Sequence, residues 1–497
     1  MKFNQPVANS TKTVNFEGAV SYRTDPRTEL VSRVLCTLVG EPKFYASGEE
    51  SDQELVTLLR SVGAANPEFC LKLAAYARNE MHLRSVPQLI LVEMAQLDSV
   101  RGTGLLLKYA PAIIRRADEI TECIAYQIGK FGRSIPKRLK KAIALTFNSF
   151  SRYQFAKYNR DGQVRMRDAM FLCHPNPKDE EHGLIFRQLA DQTLEPPKTW
   201  EVIISENGST KEAWGEVVRL WLESPRFGNY MAALRNLRNL LQAKVDAGLM
   251  RRVCDQLRDR ENVRRSKQLP FRFLSAYRQI ERVPSPFSGM VLAAVSDAMD
   301  ASVTNIPHLP GMTGILADLS GSMESPLSER GSLTYSDVGA VLGAGIDTIS
   351  NGFVVGFGEI AELAVLNRRD SVLTNAQKIR RMDVGGSTNA WRAMELLERE
   401  HIVLDRVILL SDMQCWDSSP WSESFADSFR SYRKTVAPKC LLYSVDLAGY
   451  GQGVQIPQGE YGVALLAGWS DRLFQFISGW EENRESQVKA IGKYDVN

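Results

Sequence analysis

Apolar positions along the first three hundred residues recur at helical spacing. After Asn66-Pro67, which reads as an N-cap followed by the first helical residue, Phe69, Cys70, Leu73, Ala74 and Ala77 fall at i, i+1, i+4, i+5 and i+8. That is one stripe of a 3.6-residue period. The same pattern predicts helices over 86–97, 105–118, 136–157, 212–223, 230–246, 249–258 and 287–300. Residues 159–163 and 175–182 read as polar loops and 484–497 as a loosely ordered tail. Alternation of β-branched residues is almost absent, and no repeat is visible residue by residue. Many helices with short links imply stacked helical hairpins in a solenoid-like arrangement.

The pattern changes at Asn305-Ile-Pro-His-Leu-Pro-Gly311, a Pro-rich hinge. Beyond it, short apolar runs at 313–317, 353–357, 406–410 and 440–446 alternate with helical segments at 335–350, 390–400 and near 422–434. Short continuous apolar runs separated by helices are the mark of a parallel sheet covered on both faces. The expected organisation is therefore α plus α/β, with a helical domain over 1–310 and an α/β domain over 311–497.

Composition fits a folded globular chain: 497 residues, 44% hydrophobic and 24% charged. The formal charge of +3 hides an asymmetry. Residues 311–497 carry 17 Lys+Arg against 24 Asp+Glu, leaving 44 against 34 for 1–310. A basic helical part and an acidic α/β part suggest different partners. The seven cysteines are scattered and never paired as C-x-x-C, which fits reduced thiols in a cytoplasmic protein. The start MKFNQPVANS has no apolar h-region, and no apolar run approaches the ~18 residues of a membrane span, so neither a secretory signal nor a membrane partner is expected. No Walker A, H-E-x-x-H, EF-hand or G-x-S-x-G pattern occurs, and Ser134-Ile-Pro-Lys137 matches S-x-x-K without its companion motifs. No general acid–base pair can be named, so an enzyme is not expected.

The sharpest chemistry follows the first predicted strand of the α/β part: Asp318-Leu319-Ser320-Gly321-Ser322. An Asp and two Ser at spacing two, on a strand-to-helix loop, present three oxygen groups on one side of a turn. By itself this is as readily a helix N-cap with an extra serine. Two further donors stand at later element ends, Thr388 in Gly385-Gly386-Ser387-Thr388-Asn389 and Asp412 in Leu409-Leu410-Ser411-Asp412. C-terminal ends of parallel strands gather on one edge, so these loops can converge. Hydroxyls and carboxylates without His or Cys suit a hard cation, Mg²⁺ above all or another divalent ion.

The constellation resembles the metal-ion-dependent adhesion site of von Willebrand factor A domains, a Rossmann-like fold with a parallel sheet. The resemblance covers about 311–480 and all five motif positions. It implies that Ser320, Ser322 and Thr388 bind the cation directly, with Asp318 and Asp412 acting through water. Ser387 is an alternative to Thr388, since the glycine loop admits a one-residue shift. Such a site leaves one position open, typically for a carboxylate of a protein partner.

Basic charge concentrates in the helical part. Arg133, Lys137, Arg138, Lys140 and Lys141 give five positive charges in nine residues, with Lys137, Lys140 and Lys141 on one helix face. Lys157, Arg160, Arg165 and Arg167 follow, interleaved with Tyr153, Phe155 and Tyr158. A second cluster comprises Arg226, Arg235, Arg238, Arg251 and Arg252. A third comprises Arg258, Arg260, Arg264, Arg265, Lys267 and Arg272. Basic helix faces beside aromatics fit phosphate contacts and base stacking. The competing expectation is a solvated face laced with salt bridges. It is strongest in the third cluster, where Asp255, Asp259 and Glu261 alternate with the arginines. By spacing alone, His174 after Ala169-Met-Phe-Leu-Cys173 reads as a packed histidine.

Several segments resemble the TROVE module of bacterial Ro autoantigen proteins: Ser21–Leu30, Glu41-Pro-Lys-Phe-Tyr45, Ala77–Val86, Leu234-Arg-Asn-Leu-Arg-Asn239 and Gln268–Phe273. They span about 15–300, and a TROVE module followed by a von Willebrand A domain is the Ro order. The resemblance implies a ring of HEAT-like helical hairpins closed by the A domain. It further implies binding of Y RNA on the outer surface and of single-stranded ends of misfolded noncoding RNA through the central hole, in RNA quality control. An exoribonuclease, polynucleotide phosphorylase, would be tethered through Y RNA. Lys157 and His174 match the family's Y RNA surface, and Arg235, Asn236, Arg238 and Asn239 fall in its most distinctive motif, as candidates for the hole. One departure is visible: Asn159-Arg-Asp-Gly162 is acidic where a basic residue is expected.

Non-catalytic RNA binding is thus the leading expectation. The alternative is a metal-dependent protein-interaction scaffold built on the A domain, with the helical part structural. A nuclease is disfavoured, because a hydroxyl-rich cation without a second bridged metal is poor equipment for phosphodiester cleavage.

Overall fold

A computed structural model of the chain describes residues 12–14, 20–36, 48–159, 161–197, 199–223, 229–327, 332–415, 424–449, 455–457, 460–467, 474, 477–478, 480–481 and 486–496. Arg160, Arg226 and the Glu41–Tyr45 segment lie outside the described residues. The chain divides into two compact units. One comprises Met1–Thr37, Glu41–Ser51 and Ser209–Gln487; the other comprises Leu38–Gly40, Asp52–Gly208 and Val488–Asn497.

The second of these units is helical. Pro67–Asn79 begins at Asn66-Pro67 as the sequence predicts, with proline supplying the first-turn φ, although the Asn66 side chain makes no cap bond. Ser85–Met94 follows the apolar periodicity, the helix expected over 105–118 ends at Ile113, and Asp118–Phe131 is a separate helix that the sequence reading did not include; together they bury Ile90, Leu91, Tyr109, Ile120 and Ile124. The single helix expected over 136–157 is two, Lys137–Phe147 and Arg152–Tyr158. The break has one local and one tertiary cause. Ser151 and Gln154 form a capping box that starts the second helix. Asn148 is held by the downstream loop, donating to the Asn176 carbonyl at 2.8 Å and accepting from the Lys178 amide at 3.0 Å. Phe147, Phe155 and Phe186 then pack with ring centroids 5.8–6.3 Å apart.

Two loop expectations need correction. Residues 175–182 are not loop throughout, since Asp179 accepts the His182 amide at 2.8 Å and caps a helix over Glu180–Asp191. The tail is not loose where it is described. Gln487–Lys493 is helical with Ile491 buried. The Gly492 carbonyl accepts from Lys72 Nζ at 2.8 Å, and Tyr494 donates to Glu80 at 3.2 Å while meeting Tyr76 edge-on at 5.6 Å.

The other unit combines helices with the sheet. A two-stranded antiparallel ribbon pairs β1 (Lys12–Val14) with β2 (Val20–Tyr22). The main sheet contains β3 (Met312–Asp318), β4 (Asn351–Phe357), β5 (Ala361–Leu363), β6 (Arg406–Ser411), β7 (Leu441–Asp446) and β8 (Val463–Ala467), in the order β5-β4-β3-β6-β7-β8. The expected all-parallel sheet is in fact mixed, because β5 folds back antiparallel on β4. β5 escaped the sequence because it is three residues long, at an edge, and largely exposed, so it needs no apolar run. The helix Tyr335–Ile349 is buried along nearly its whole length, as its small residues allow: a Cβ added at Gly343 would touch Val354 and Ile315.

β3 pairs with β4 on one side and β6 on the other, all parallel. Chain order therefore reverses direction at β3, and the crevice beyond the C-terminal ends of β3 and β6 is the topological switch point where open α/β sheets bind ligands. Asp318 and Asp412 stand there.

Candidate cation site and nucleic-acid interface

Asp318 is the last residue of β3, and Asp412 directly follows β6. The register sets Ala317 opposite Leu410, so the two loops leave the sheet side by side. All five motif residues, Asp318, Ser320, Ser322, Thr388 and Asp412, are buried. Asp318 Oδ1 accepts the Ser320 amide at 3.0 Å, and the Ser320 and Ser322 hydroxyls lie 3.4 Å apart. Asp412 Oδ1 accepts the Gln414 amide at 3.0 Å, while its Oδ2 is buried with no hydrogen-bond partner among the described residues.

The glycine loop reaches this cluster through the backbone. The Gly321 amide donates to the Gly386 carbonyl at 3.1 Å. Gly385 has φ +76°, and a side chain there would collide with Glu359, so glycine permits the approach. Thr388 is buried two residues on, whereas Ser387 is exposed.

Burial pushes the Asp318 and Asp412 carboxyls above the ordinary carboxylate range, and the charge of Asp318 adds to the push on Asp412. Two buried acids that resist joint ionisation, an orphaned carboxylate oxygen and paired hydroxyls form a donor set that fits a hard divalent cation. Among the described residues no group of three His, Cys, Asp or Glu forms a rival metal cluster. The sequence reading missed two supporting residues. Ser411 donates from Oγ to Asp318 Oδ2 at 2.5 Å, and the Asp446 charge adds to the rise at Asp412. Asp446 ends β7 as Asp318 ends β3, and that repeated strand-terminal acid was the available signal.

The basic candidates divide by what their charges do. Arg133, Lys137 and Lys141 are exposed, and they and the half-buried Lys140 form no ion pair among the described residues. Between Glu122 and Asp161 the sequence has no Asp or Glu at all. Arg138 is diverted inward, donating from Nε to the Ala95 carbonyl at 2.6 Å. Lys157 lies 3.4 Å from Glu201, and Arg165 pairs with Asp161 at 3.1 Å, so the unexpected acid of the 159–162 loop neutralises a candidate contact. Arg167 sits 5.5 Å from the centroid of the exposed Phe171 ring, a cation–π pair presented to solvent.

His174 is exposed rather than packed. It adopts φ +51° as the residue after Met166–Cys173, and that left-handed cap turns it out of the apolar stripe. Helix Lys137–Phe147 packs on Met166–Cys173, which brings the two basic segments together.

In the other unit, helix Tyr230–Gln242 exposes Arg235 and Arg238, neither ion-paired among the described residues. Asn236 and Asn239 are half-buried and bond each other at 2.8 Å, Asn236 also donating to the Ala232 carbonyl. In the third cluster the salt-bridge expectation holds: Arg258 pairs with Asp255 at 2.6 Å, and Arg264 and Arg265 both pair with Glu261 at 2.7 and 2.6 Å. All seven cysteines are buried and unbridged.

The TROVE domain matches residues 9–195 and 192–289, together more than half of the chain. The chain belongs to the TROVE family. The two TROVE segments contain every RNA-binding candidate from Arg133 to Asn239, and the candidate cation cluster lies beyond them. Telomerase protein component 1 of rat is 23% identical over 301 residues, 44% of this chain and 11% of that protein. The mouse protein is 22% identical over 343 residues, 52% of this chain and 13% of its own length. The matched stretch is thus only about a tenth of the length of these curated relatives. Among solved structures, the Ro (RSR) protein of Deinococcus radiodurans is similar with a TM-score of 0.64 over 92% of this chain and all of that one, at 18% identity. At that identity the likeness is one of fold. Among the described residues no helix is long and apolar enough to cross a membrane.

Proposed function

We propose that this TROVE protein is a non-catalytic RNA-binding protein of the Ro type, acting in the cytoplasm in RNA quality control. The observation that carries the proposal is the set of exposed basic side chains without acidic partners among the described residues of the TROVE segments, Arg133, Lys137, Lys141 and Arg167 beside Phe171, with Arg235 and Arg238 on a second helix. Unneutralised charge beside an exposed aromatic is what phosphate contact and base stacking require. The family resemblance supplies the finer parts: Y RNA on the surface around His174, single-stranded ends of misfolded RNA at Arg235–Asn239, a ring over 1–310, and tethering of an exoribonuclease through Y RNA. The test is co-purified nucleic acid. The purified chain should show a raised 260/280 absorbance ratio that nuclease removes, and the stripped protein should rebind RNA. A stripped protein that rebinds no RNA at low salt would reject the proposal.

We further propose that residues 311–497 form a von Willebrand factor A-type domain whose Ser320, Ser322 and Thr388 hold a divalent cation, with Asp318 and Asp412 behind them. The cation would supply one positive centre able to take a carboxylate from a protein partner, as in the scaffold alternative. The orphaned Asp412 Oδ2 favours it. Mg²⁺ should raise the melting temperature of the native chain and chelation should reverse this. Asp412→Asn should abolish the Mg²⁺ response while leaving the chain folded. A Mg²⁺ response surviving Asp412→Asn would remove the site.

A further inference from the structure

A cavity of about 190 Å³ opens among Arg238, Gln242, Arg278, Gln279, Arg282 and Ser332. Among the described residues every polar side chain on that lining can donate a hydrogen bond, and none is a carboxylate. Arg238 and Gln242 are four apart on helix Tyr230–Gln242 and so share a face. Arg278 and Gln279 come from the last turn of helix Pro270–Glu281, and Arg282 follows it.

The three arginines are not equivalent. Arg278 is committed: its two terminal nitrogens each lie 2.5 Å from the oxygens of buried Asp337, and one also donates to the Ser332 carbonyl at 2.6 Å. Arg238 and Arg282 have no ion pair among the described residues, so the cavity keeps an excess of about two positive charges. Ser332 is fixed there by its carbonyl, yet its Oγ is buried without a hydrogen-bond partner among the described residues. A buried hydroxyl left unpaired is costly, and a ligand oxygen bonded to it recovers that cost.

We propose that this cavity binds a phosphoryl group. Two guanidiniums, two carboxamides and one hydroxyl converge as donors, which suits the several acceptor oxygens of a tetrahedral oxyanion and repels cations. The volume admits a phosphoryl group and part of an attached sugar and excludes a duplex. The site deepens the RNA-binding proposal, on which it rests for one source of the phosphate, a single-stranded RNA backbone or end. The other source is free phosphate.

The test uses the full chain, stripped of nucleic acid, in two arms. In the first, inorganic phosphate is titrated calorimetrically into the wild type, Arg282→Gln, Arg282→Lys and Ser332→Ala, with circular dichroism checking each fold. Saturable binding by the wild type, at least fivefold weaker in Arg282→Gln and Ser332→Ala and partly kept in Arg282→Lys, supports the cavity. In the second, an unstructured oligoribonucleotide replaces phosphate. The same fivefold losses assign the phosphate to the strand, and unchanged strand affinity beside lost phosphate binding assigns it to the free ion. An oligoribonucleotide that the wild type does not bind counts against the RNA proposal, with the phosphate arm still deciding the cavity. No phosphate binding, together with strand affinities equal across folded variants, overturns the inference.

Discussion

Residues 133–141 and 258–265 carry similar densities of positive charge in the sequence, and their side chains meet opposite fates. In the second stretch each of Arg258, Arg264 and Arg265 finds an acid three or four residues back on its own helix. In the first no acid lies within nineteen residues downstream of Lys141 or within ten upstream of Arg133, and Lys137, Lys140 and Lys141 stay unpaired among the described residues. The lesson is that acid spacing, more than the number of bases, decides how much charge remains for a nucleic acid. A third group marks the far end of the scale. Arg278 and Arg380 both reach the buried Asp337, at 2.5 and 3.1 Å, and Arg380 also pairs with Glu324, two residues after Ser322.

The largest effect should come from breaking that buried group. Burial pushes the Asp337 carboxyl up, but hydrogen bonds from Arg278 and the Thr334 amide, with the charges of Arg278 and Arg380, hold it below its ordinary value. Asp337→Asn should cost about 3 kcal/mol, since it strands Arg278 and takes from Arg380 one of its two acids. A depressed folded-state pKa means the stabilisation is full at neutral pH and is lost as pH falls through the folded value. The stability gap between wild type and variant, from urea unfolding, should therefore be widest near pH 7 and close in acid. A gap independent of pH would mean the ionised pair is not its source.

Next is the unpaired face. Replacing Lys137, Lys140 and Lys141 by Ala should weaken RNA binding roughly 10- to 100-fold near physiological salt if each lysine neutralises a phosphate, with little change in stability. The self-paired cluster sharpens the comparison in the other direction. Glu261→Gln releases Arg264 and Arg265, and RNA affinity at low salt should rise by about two- to fourfold if pairing is what silences them. Equal affinity would show that the helix faces away from bound RNA. The smallest effect is expected at Asp161→Ala, which frees the exposed Arg165 and should strengthen Y RNA-like hairpin binding by less than about twofold.

Much of the helical periodicity and the strand alternation were legible because burial repeats every few residues, and that repeat is written in the chain. The break at Asn148 was legible only in the local capping pair Ser151 and Gln154, since its other half depends on the Asn176 carbonyl and the Lys178 amide arriving from a loop almost thirty residues away. The docking of Tyr494 on Tyr76 and Glu80 is likewise tertiary. At the cation cluster, Asp318, Ser320 and Ser322 were legible as a local motif and Asp412 as a strand end. The help of Ser411 and Asp446 follows from sheet register, which a single sequence does not display. Among the basic residues, identity was legible and availability was not: Arg138 turns to Ala95, Lys157 to Glu201, and His174 turns out to solvent on a left-handed cap.

In the proposed RNA complex, unpaired lysines of helix Lys137–Phe147 meet RNA phosphates. The most direct test of that contact is the salt dependence of RNA affinity for stripped wild type and for Lys137→Ala/Lys140→Ala/Lys141→Ala. The wild type should lose affinity steeply as salt rises, and the triple variant should show a log–log slope shallower by about two to three. Identical slopes, or a wild-type affinity indifferent to salt, would contradict it.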